Sequence, residues 1–151
     1  MHKTELTLLS LTIFCTLAWA DVTVRDPWAR GTVVGQTASG AFLELQSSAD
    51  ATLIGVSSPA AGVVEVHEMS MDNGVMKMRA VPRLDLPAGK PVVLKPGGYH
   101  IMLMDLRKPL KKGESLPLKL KIEGKDKKLS TIEVKAEVRE LTEPPMHEHK
   151  H

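Results

Sequence analysis

The sequence has very little cysteine and very few aromatic residues, and both shortages exclude functions. Its one cysteine, Cys15, lies within the first twenty residues, so the rest of the chain has no thiol for a disulfide, a nucleophile or a metal ligand. Aromatic residues make up only 3% of the chain, and 20 basic residues nearly balance 18 acidic ones. Because no basic stripe is interleaved with aromatic residues, we expect no nucleic-acid partner.

The sequence also lacks the short motifs of common enzyme classes. It has no H-E-x-x-H, G-x-S-x-G, P-loop or G-x-G-x-x-G motif, and no pair of acids stands out as a general acid and base. We therefore predict that the protein is not an enzyme. A blue-copper electron carrier is disfavoured too, because such a site needs a cysteine thiolate and the chain after residue 20 has none.

The first twenty residues differ in character from the rest. Lys3 is followed by an apolar stretch from Leu6 to Leu17 and then by Ala18-Trp19-Ala20, a pattern typical of a secretory signal peptide. The apolar run is about a dozen residues, whereas a membrane-spanning helix needs about twenty. We therefore predict a signal peptide over residues 1–20, a periplasmic mature protein and no stable membrane insertion after cleavage. Because no small residues precede Cys15, we also expect no lipid anchor.

The remaining chain reads as short strands separated by turns. Apolar and polar residues alternate clearly over Leu116–Ile122 and again over Ile132–Val138, which predicts a hairpin. Earlier segments with strand character are Val22–Val24, Ala41–Gln46, Leu53–Val56, Val63–Met71, Val75–Val81, Val92–Leu94 and Tyr99–Leu106. About nine strands at this spacing predict an all-β fold over residues 21–140, an antiparallel Greek-key β-sandwich or barrel.

Asn73-Gly74 predicts a two-residue hairpin loop, because a type I′ turn needs positive φ at both central residues. This loop determines the register of the flanking strands. Directly opposed residues share a face of the sheet, as do alternate residues along a strand. One face of the hairpin would therefore carry a histidine and four methionines: His67, Met69, Met71, Met76 and Met78.

A second cluster of the same composition follows at Tyr99–Met104. Strand alternation there sends His100, Met102 and Met104 to one face. A mixture of neutral thioethers and imidazoles selects Cu(I) over zinc, calcium or magnesium. Methionines at this spacing also serve as packing residues, and a lone histidine is usually only hydrogen-bonded. Two such clusters in an exported chain that has no thiol after residue 20 nevertheless favour copper.

Together the clusters form the pattern H-x10-M-x21-H-x-M at His67, Met78, His100 and Met102. With the flanking segments Asp26-Pro27-Trp28-Ala29-Arg30 and Lys95-Pro96-Gly97-Gly98, the sequence resembles the PCu(A)C family of periplasmic copper chaperones over about Val22–Val138. The resemblance implies a cupredoxin-like β-sandwich that binds one Cu(I) through the four motif residues. It also implies delivery of copper for the dinuclear centre of cytochrome c oxidase, to an oxidase subunit or a thiol-bearing assembly factor.

Further soft ligands lie outside the motif. Met69 and Met104 are secondary ligands or packing residues. Residues 141–151 are predicted to be a flexible tail, and four of its residues resemble the metal-binding extensions of some family members: Met146, His147, His149 and His151. Imidazoles at alternate positions suit Cu(II), although an ordinary polar tail is the alternative.

Two other functions remain open at this point. A copper-buffering or resistance protein would use the same site without an acceptor. A metal-free protein-binding β-sandwich would be favoured if His67 and His100 lay far apart. We expect the protein to be a monomer.

Overall fold

The computed structural model describes residues 20–140, and these residues form ten β-strands and no helix. The strands are β1 (Val22–Arg30), β2 (Ser39–Ser47), β3 (Ala51–Ser57), β4 (Ala61–Asp72), β5 (Val75–Ala80), β6 (Leu84–Leu86), β7 (Pro91–Leu94), β8 (Tyr99–Leu106), β9 (Ser115–Gly124) and β10 (Leu129–Arg139). Within this range, no helix is long and apolar enough to cross a membrane. The predicted signal peptide up to Trp19, with Cys15, and the predicted tail at 141–151 lie outside the described residues.

The strands form one continuous sheet in the order β5-β4-β8-β2-β1-β10-β9-β3-β6, with β7 paired to β2. Ile101 and Leu103 of β8 belong to the same buried cluster as Leu118 and Leu120 of β9, although β8 and β9 lie four places apart in the sheet. The sheet therefore curls until its two parts face each other across a single core, which is the arrangement of a sandwich. The prediction of an all-β fold is confirmed.

All nine predicted strands are present, and a tenth, β6, was missed. β6 has only three residues and lies between Pro82 and Pro87, so it shows no alternating pattern long enough to recognise. One pairing also departs from the antiparallel expectation, because β1 runs parallel to β10. That pairing joins the first and last strands in the middle of the sheet, and no local turn produces it.

The β9–β10 hairpin has the predicted alternation and contributes much of the core. Leu118 pairs with Val134 and Leu120 pairs with Ile132, while the intervening residues of β9 face solvent. Buried apolar surface is the main stabilising term in such a fold. A chain of residues 21–140 retains all ten described strands and the whole of this core.

Strand β1 has a bulge just before Trp28, whose ring packs near the predicted site. The register between β1 and β2 shifts between Arg25 and Trp28, and Asp26 adopts a positive φ of 46°. Pro27 lies in this bulge, where the strand pairing is interrupted and a residue without an amide proton is tolerated. Trp28 then packs against Phe42 of β2 with ring centroids 4.5 Å apart, and the Arg139 guanidinium lies 5.4 Å from the Trp28 ring. This stack supports one wall of the cavity described next.

Candidate metal centre

The β4–β5 hairpin has the predicted register. Asn73 and Gly74 have φ values of 49° and 77°, as a type I′ turn requires. His67 pairs with Ala80, and the two methionine pairs are Met69 with Met78 and Met71 with Met76. β5 is an edge strand, because it pairs with β4 alone among the described strands. The prediction that one face of this hairpin carries a histidine and four methionines is consistent with this register.

Pairing between β4 and β8 brings the two sequence clusters together. His67 lies directly opposite His100, and Glu65 lies directly opposite Met102. The two imidazole rings have centroids 6.0 Å apart. Since opposed residues share a face, the imidazoles and the Met102 thioether project to the same side of the sheet as Met78.

A cavity of about 290 Å³ lies beside the histidine pair. Met78, His100 and Met102 line it, as does Met69 from the secondary set. The other lining residues are Arg30, Gln36, Ser39, Gly40, Phe42, Pro96 and Gly97. His67 is not one of the lining residues and lies beside the cavity, against His100. Met104 does not line it either and pairs with Val63 farther along β8.

The ring of His100 is buried and held in one orientation. Its residue is 6% exposed, and its Nδ1 atom lies 3.0 Å from the Gly98 carbonyl oxygen. Because a carbonyl oxygen can only accept a hydrogen bond, Nδ1 carries the proton and Nε2 presents a lone pair. The turn at Lys95-Pro96-Gly97-Gly98 places that carbonyl. The Gly98 amide donates to the Lys95 carbonyl, and Gly97 has φ of 86°, as expected of a type II turn with proline at its second position.

His67 has a different partner. Its Nε2 atom lies 2.8 Å from a carboxylate oxygen of Glu65, and its side chain is 14% exposed. With the Nε2 proton donated to that carboxylate, Nδ1 presents the lone pair. This Nδ1 is buried and has no hydrogen-bond partner among the described residues. A buried polar atom without a partner is rare in proteins, and Nδ1 is therefore a candidate metal ligand.

Glu65 was missed by the sequence reasoning, although the signal was available. It lies two residues before His67 on β4, so strand alternation puts both side chains on the same face. Its role depends on the distance to the imidazole, which only the folded structure supplies.

The donor set selects the class of ion. Among residues 20–140 there is no group of three or more His, Cys, Asp or Glu side chains that could hold a metal. Magnesium and zinc sites in proteins are usually built from such groups. Two imidazoles with neighbouring thioethers provide neutral, mostly soft ligands, which suit a soft monovalent cation such as Cu(I).

A roomier cavity of about 510 Å³ lies elsewhere in the fold, lined in part by Asp50, Arg83, Asp85 and Glu123. The Arg83 guanidinium donates to a Glu123 carboxylate oxygen at 2.7 Å, and this hydrogen bond lowers the pKa of Glu123 below its usual value. No histidine or methionine lines this cavity. Its charged groups are explained by surface ion pairing, so we assign it no function.

Comparison with known sequences gives the family. Residues 22–138 match the sequence family described as "lipoprotein LpqE-like". Lipoprotein Lxx21020 of Leifsonia xyli subsp. xyli is 35% identical over 101 residues, which cover 66% of this chain and 61% of that protein. Protein RP573 of Rickettsia prowazekii is 32% identical over 123 residues, covering 78% and 68% of the two chains. The match thus spans less than two thirds of the length of Lxx21020.

Comparison with solved structures gives the fold. The apo PCuAC domain from PmoF1 has a TM-score of 0.64 and 21% identity, over 79% of this chain and 93% of that one. The solution structure of CuI-DR1885 from Deinococcus radiodurans has a TM-score of 0.58 and 28% identity, over 77% of this chain and 76% of that one. These similarities confirm the predicted cupredoxin-like β fold.

Proposed function

The chain belongs to the LpqE-like family and has the fold of PCuAC domains, and on this basis we propose that it is a copper chaperone. One Cu(I) ion would be held by His67, Met78, His100 and Met102. The observation that carries the proposal is the pairing of the two imidazoles across β4 and β8, beside a cavity lined by both motif thioethers. The Cu(I)-bound form of DR1885, which is 28% identical, supports the same cargo.

The arrangement of donors suits an ion that is held and then released. His100 would bind through Nε2 and His67 through Nδ1, since the other nitrogen of each ring has a hydrogen-bond partner within the protein. All four ligands are neutral when bound, so the site stabilises a monovalent ion without strong electrostatic trapping. The Met78 side chain is partly open, with 49% of the residue exposed, and offers a partner access to the ion.

Protons compete with copper for the imidazole lone pairs but not for the thioethers. We therefore expect Cu(I) affinity to weaken on acidification without vanishing. Partial retention of Cu(I) affinity at low pH would distinguish this site from one built on carboxylates or thiolates, because all of those ligands bind protons.

The finer proposal concerns location and acceptor. The chain would be exported by a signal peptide at residues 1–20 and act in the periplasm as a non-enzymatic monomer. It would supply copper for the dinuclear centre of cytochrome c oxidase, either to an oxidase subunit or to a thiol-bearing assembly factor. Met69 lines the cavity and is the better placed of the two secondary ligands, while Met146, His147, His149 and His151 would capture Cu(II).

Of the alternatives, a metal-free protein-binding module is disfavoured because the two imidazoles lie side by side rather than far apart. Copper buffering uses the same site and differs only in having no acceptor. A transfer measurement separates it from chaperone activity. Cu(I)-loaded protein should pass copper to an apo oxidase subunit faster than copper dissociates into a chelator, whereas a buffering protein would show equal rates.

The binding test is an anaerobic Cu(I) titration of residues 21–140 against a chromophoric chelator. The parent should take up one tight equivalent, and a chain with His67→Ala, Met78→Ala, His100→Ala and Met102→Ala should lose it. Met104→Ala serves as the matched control, because Met104 lies on β8 outside the cavity. Equal weak binding by the parent and the fourfold variant would remove the chaperone proposal.

A further inference from the structure

The four hairpin methionines form a ladder that leads from the tip of the β4–β5 hairpin to the histidine pair. We define the methionine ladder as two cross-strand pairs, the tip pair Met71–Met76 and the inner pair Met69–Met78. Along β4 exposure falls from Met71, which is 66% exposed, through the half-buried Met69 to the His67 side chain at 14%, while Met76 and Met78 on β5 are about equally exposed, at 50% and 49%. The ladder therefore connects solvent with the candidate metal centre.

Packing explains the inner pair but not the tip pair. Met69 and Met78 line the cavity, whereas Met71 and Met76 do not. Because half or more of the surface of Met71 and Met76 is exposed, these two residues bury little apolar area and contribute little to the core. Scattered exposed apolar residues are normal, but a contiguous exposed patch beside a binding site indicates an interaction.

We propose that Met71 and Met76 form a second, weaker Cu(I) site, through which copper enters and leaves the buried site. This inference rests on the proposed function, since it concerns the same cargo. Directly opposed residues on antiparallel strands have Cβ atoms about 4.5–5.5 Å apart, and the flexible methionine side chain lets two sulfur atoms converge on one ion. Two thioethers alone bind less tightly than the four donors of the buried site.

The spacing of the ladder permits a stepwise passage. Successive pairs on one face of a strand are about 7 Å apart, because each residue rises about 3.4 Å. A copper ion at the tip pair is thus one step from Met69 and Met78, and one further step from His67. Between the tip pair and the inner pair, long thioether side chains on both sides allow one ligand to bind before another releases the ion, and in the last step the His67 imidazole takes over from the inner pair.

The charges on the hairpin do not oppose this route. On the opposite face, Lys77 donates to the Asp72 carboxylate at 3.1 Å, and Arg79 donates to the Glu68 carboxylate at 3.5 Å. Each cation near the tip is therefore matched by an anion. Both cations of the hairpin are thus ion-paired, while Arg30 lines the cavity at the inner end of the route and is a positive charge that copper must approach there.

The test uses NMR to record the response of each methionine methyl group to Cu(I). Residues 21–140 with methyl-13C methionine would be titrated anaerobically with Cu(I) while the methyl resonances are recorded. The first equivalent should shift Met78 and Met102, and the second should shift Met71 and Met76. In the Met71→Leu, Met76→Leu chain, the weak equivalent should be lost and the tight equivalent retained, because leucine preserves volume but has no sulfur. The control Met104→Leu should retain both equivalents.

The outcomes separate this inference from the proposed function. A single tight equivalent with no shift of Met71 and Met76 would overturn the tip site and leave the chaperone proposal intact. Shifts of Met71 and Met76 without a tight equivalent would support the tip site and refute the buried one. Retention of the weak equivalent in the leucine variant, or its equal loss in the Met104→Leu control, would also overturn the inference. Since the methyl shifts are measured on the parent, the first two outcomes do not depend on the folding of any variant.

Discussion

Removing the carboxylate of Glu65 tests how the site prepares His67 to bind copper. In the parent, the Nε2 atom of His67 lies 2.8 Å from a Glu65 oxygen, which leaves the Nδ1 lone pair available for the proposed copper ion. Glu65→Ala removes the acceptor, so the ring can rotate and exchange its proton between the two nitrogens. We expect Cu(I) to bind more weakly, because copper must then select one tautomer and one orientation from several.

The size of the effect follows from the geometry. Loss of a hydrogen-bond partner that orients a metal-binding histidine typically weakens binding by about 10–100-fold, or about 1.4–2.7 kcal/mol. The Glu65 side chain is 47% exposed, so water can replace part of the lost interaction. We therefore expect a loss near the lower limit, about tenfold. Glu65→Gln keeps an oxygen acceptor without the charge and should recover most of the affinity.

The assay is competition for Cu(I) against a chelator, with nitrogen-15 shifts of the His67 ring to report the tautomer. Glu68→Ala is the matched control, since Glu68 is the same residue type on the same strand but pairs with Arg79 on the opposite face. Parental affinity in Glu65→Ala would refute the reasoning. Tighter binding would also refute it, because it would mean that Glu65 competes with copper for Nε2.

Three further predictions concern the fold. Gly74→Ala places a side chain at φ of 77° with no neighbour to clash with, so the conformational strain alone should cost about 1–2 kcal/mol; an unchanged urea midpoint would argue against the type I′ turn. Leu120→Ala, at a fully buried position, should lower the free energy of unfolding by about 2–5 kcal/mol in urea titrations; a loss under 1 kcal/mol would place Leu120 outside the core. The Arg139 guanidinium lowers the pKa of Asp26 below its ordinary 3.8, so this pair stabilises the fold above that pH and the contribution is lost as pH falls through the lowered value. Thermal unfolding of Asp26→Asn should therefore differ from the parent near neutral pH and converge with it in strong acid, and a constant difference would disprove the linkage.

Local turn chemistry explains why the hairpin could be predicted from the sequence. Asn73 and Gly74 tolerate the positive φ values of a type I′ turn, and a two-residue loop leaves only one register for β4 and β5. The alternation of Leu118 and Leu120 with polar residues likewise predicts the buried face of β9. In both cases the deciding interactions lie within a few residues of one another.

Features that depend on distant pairing could not be predicted in this way. The contact of His67 with His100 requires β4 to pair with β8, and no turn joins those two strands. The family resemblance pointed to the same residues, but the hydrogen bonds that orient each imidazole come from Glu65 and the Gly98 carbonyl. The parallel pairing of β1 with β10 joins the first and last strands in the middle of the sheet, and no local pattern encodes it.

X-ray absorption at the copper edge tests the central claim most directly. Residues 21–140 loaded with one equivalent of Cu(I) should show both nitrogen and sulfur donors, from the imidazoles of His67 and His100 and the thioethers of Met78 and Met102. The Met78→Leu, Met102→Leu chain should lose most of the sulfur contribution. A coordination sphere of nitrogen and oxygen only in the parent, or an unchanged sulfur contribution in this variant, would contradict the proposed site.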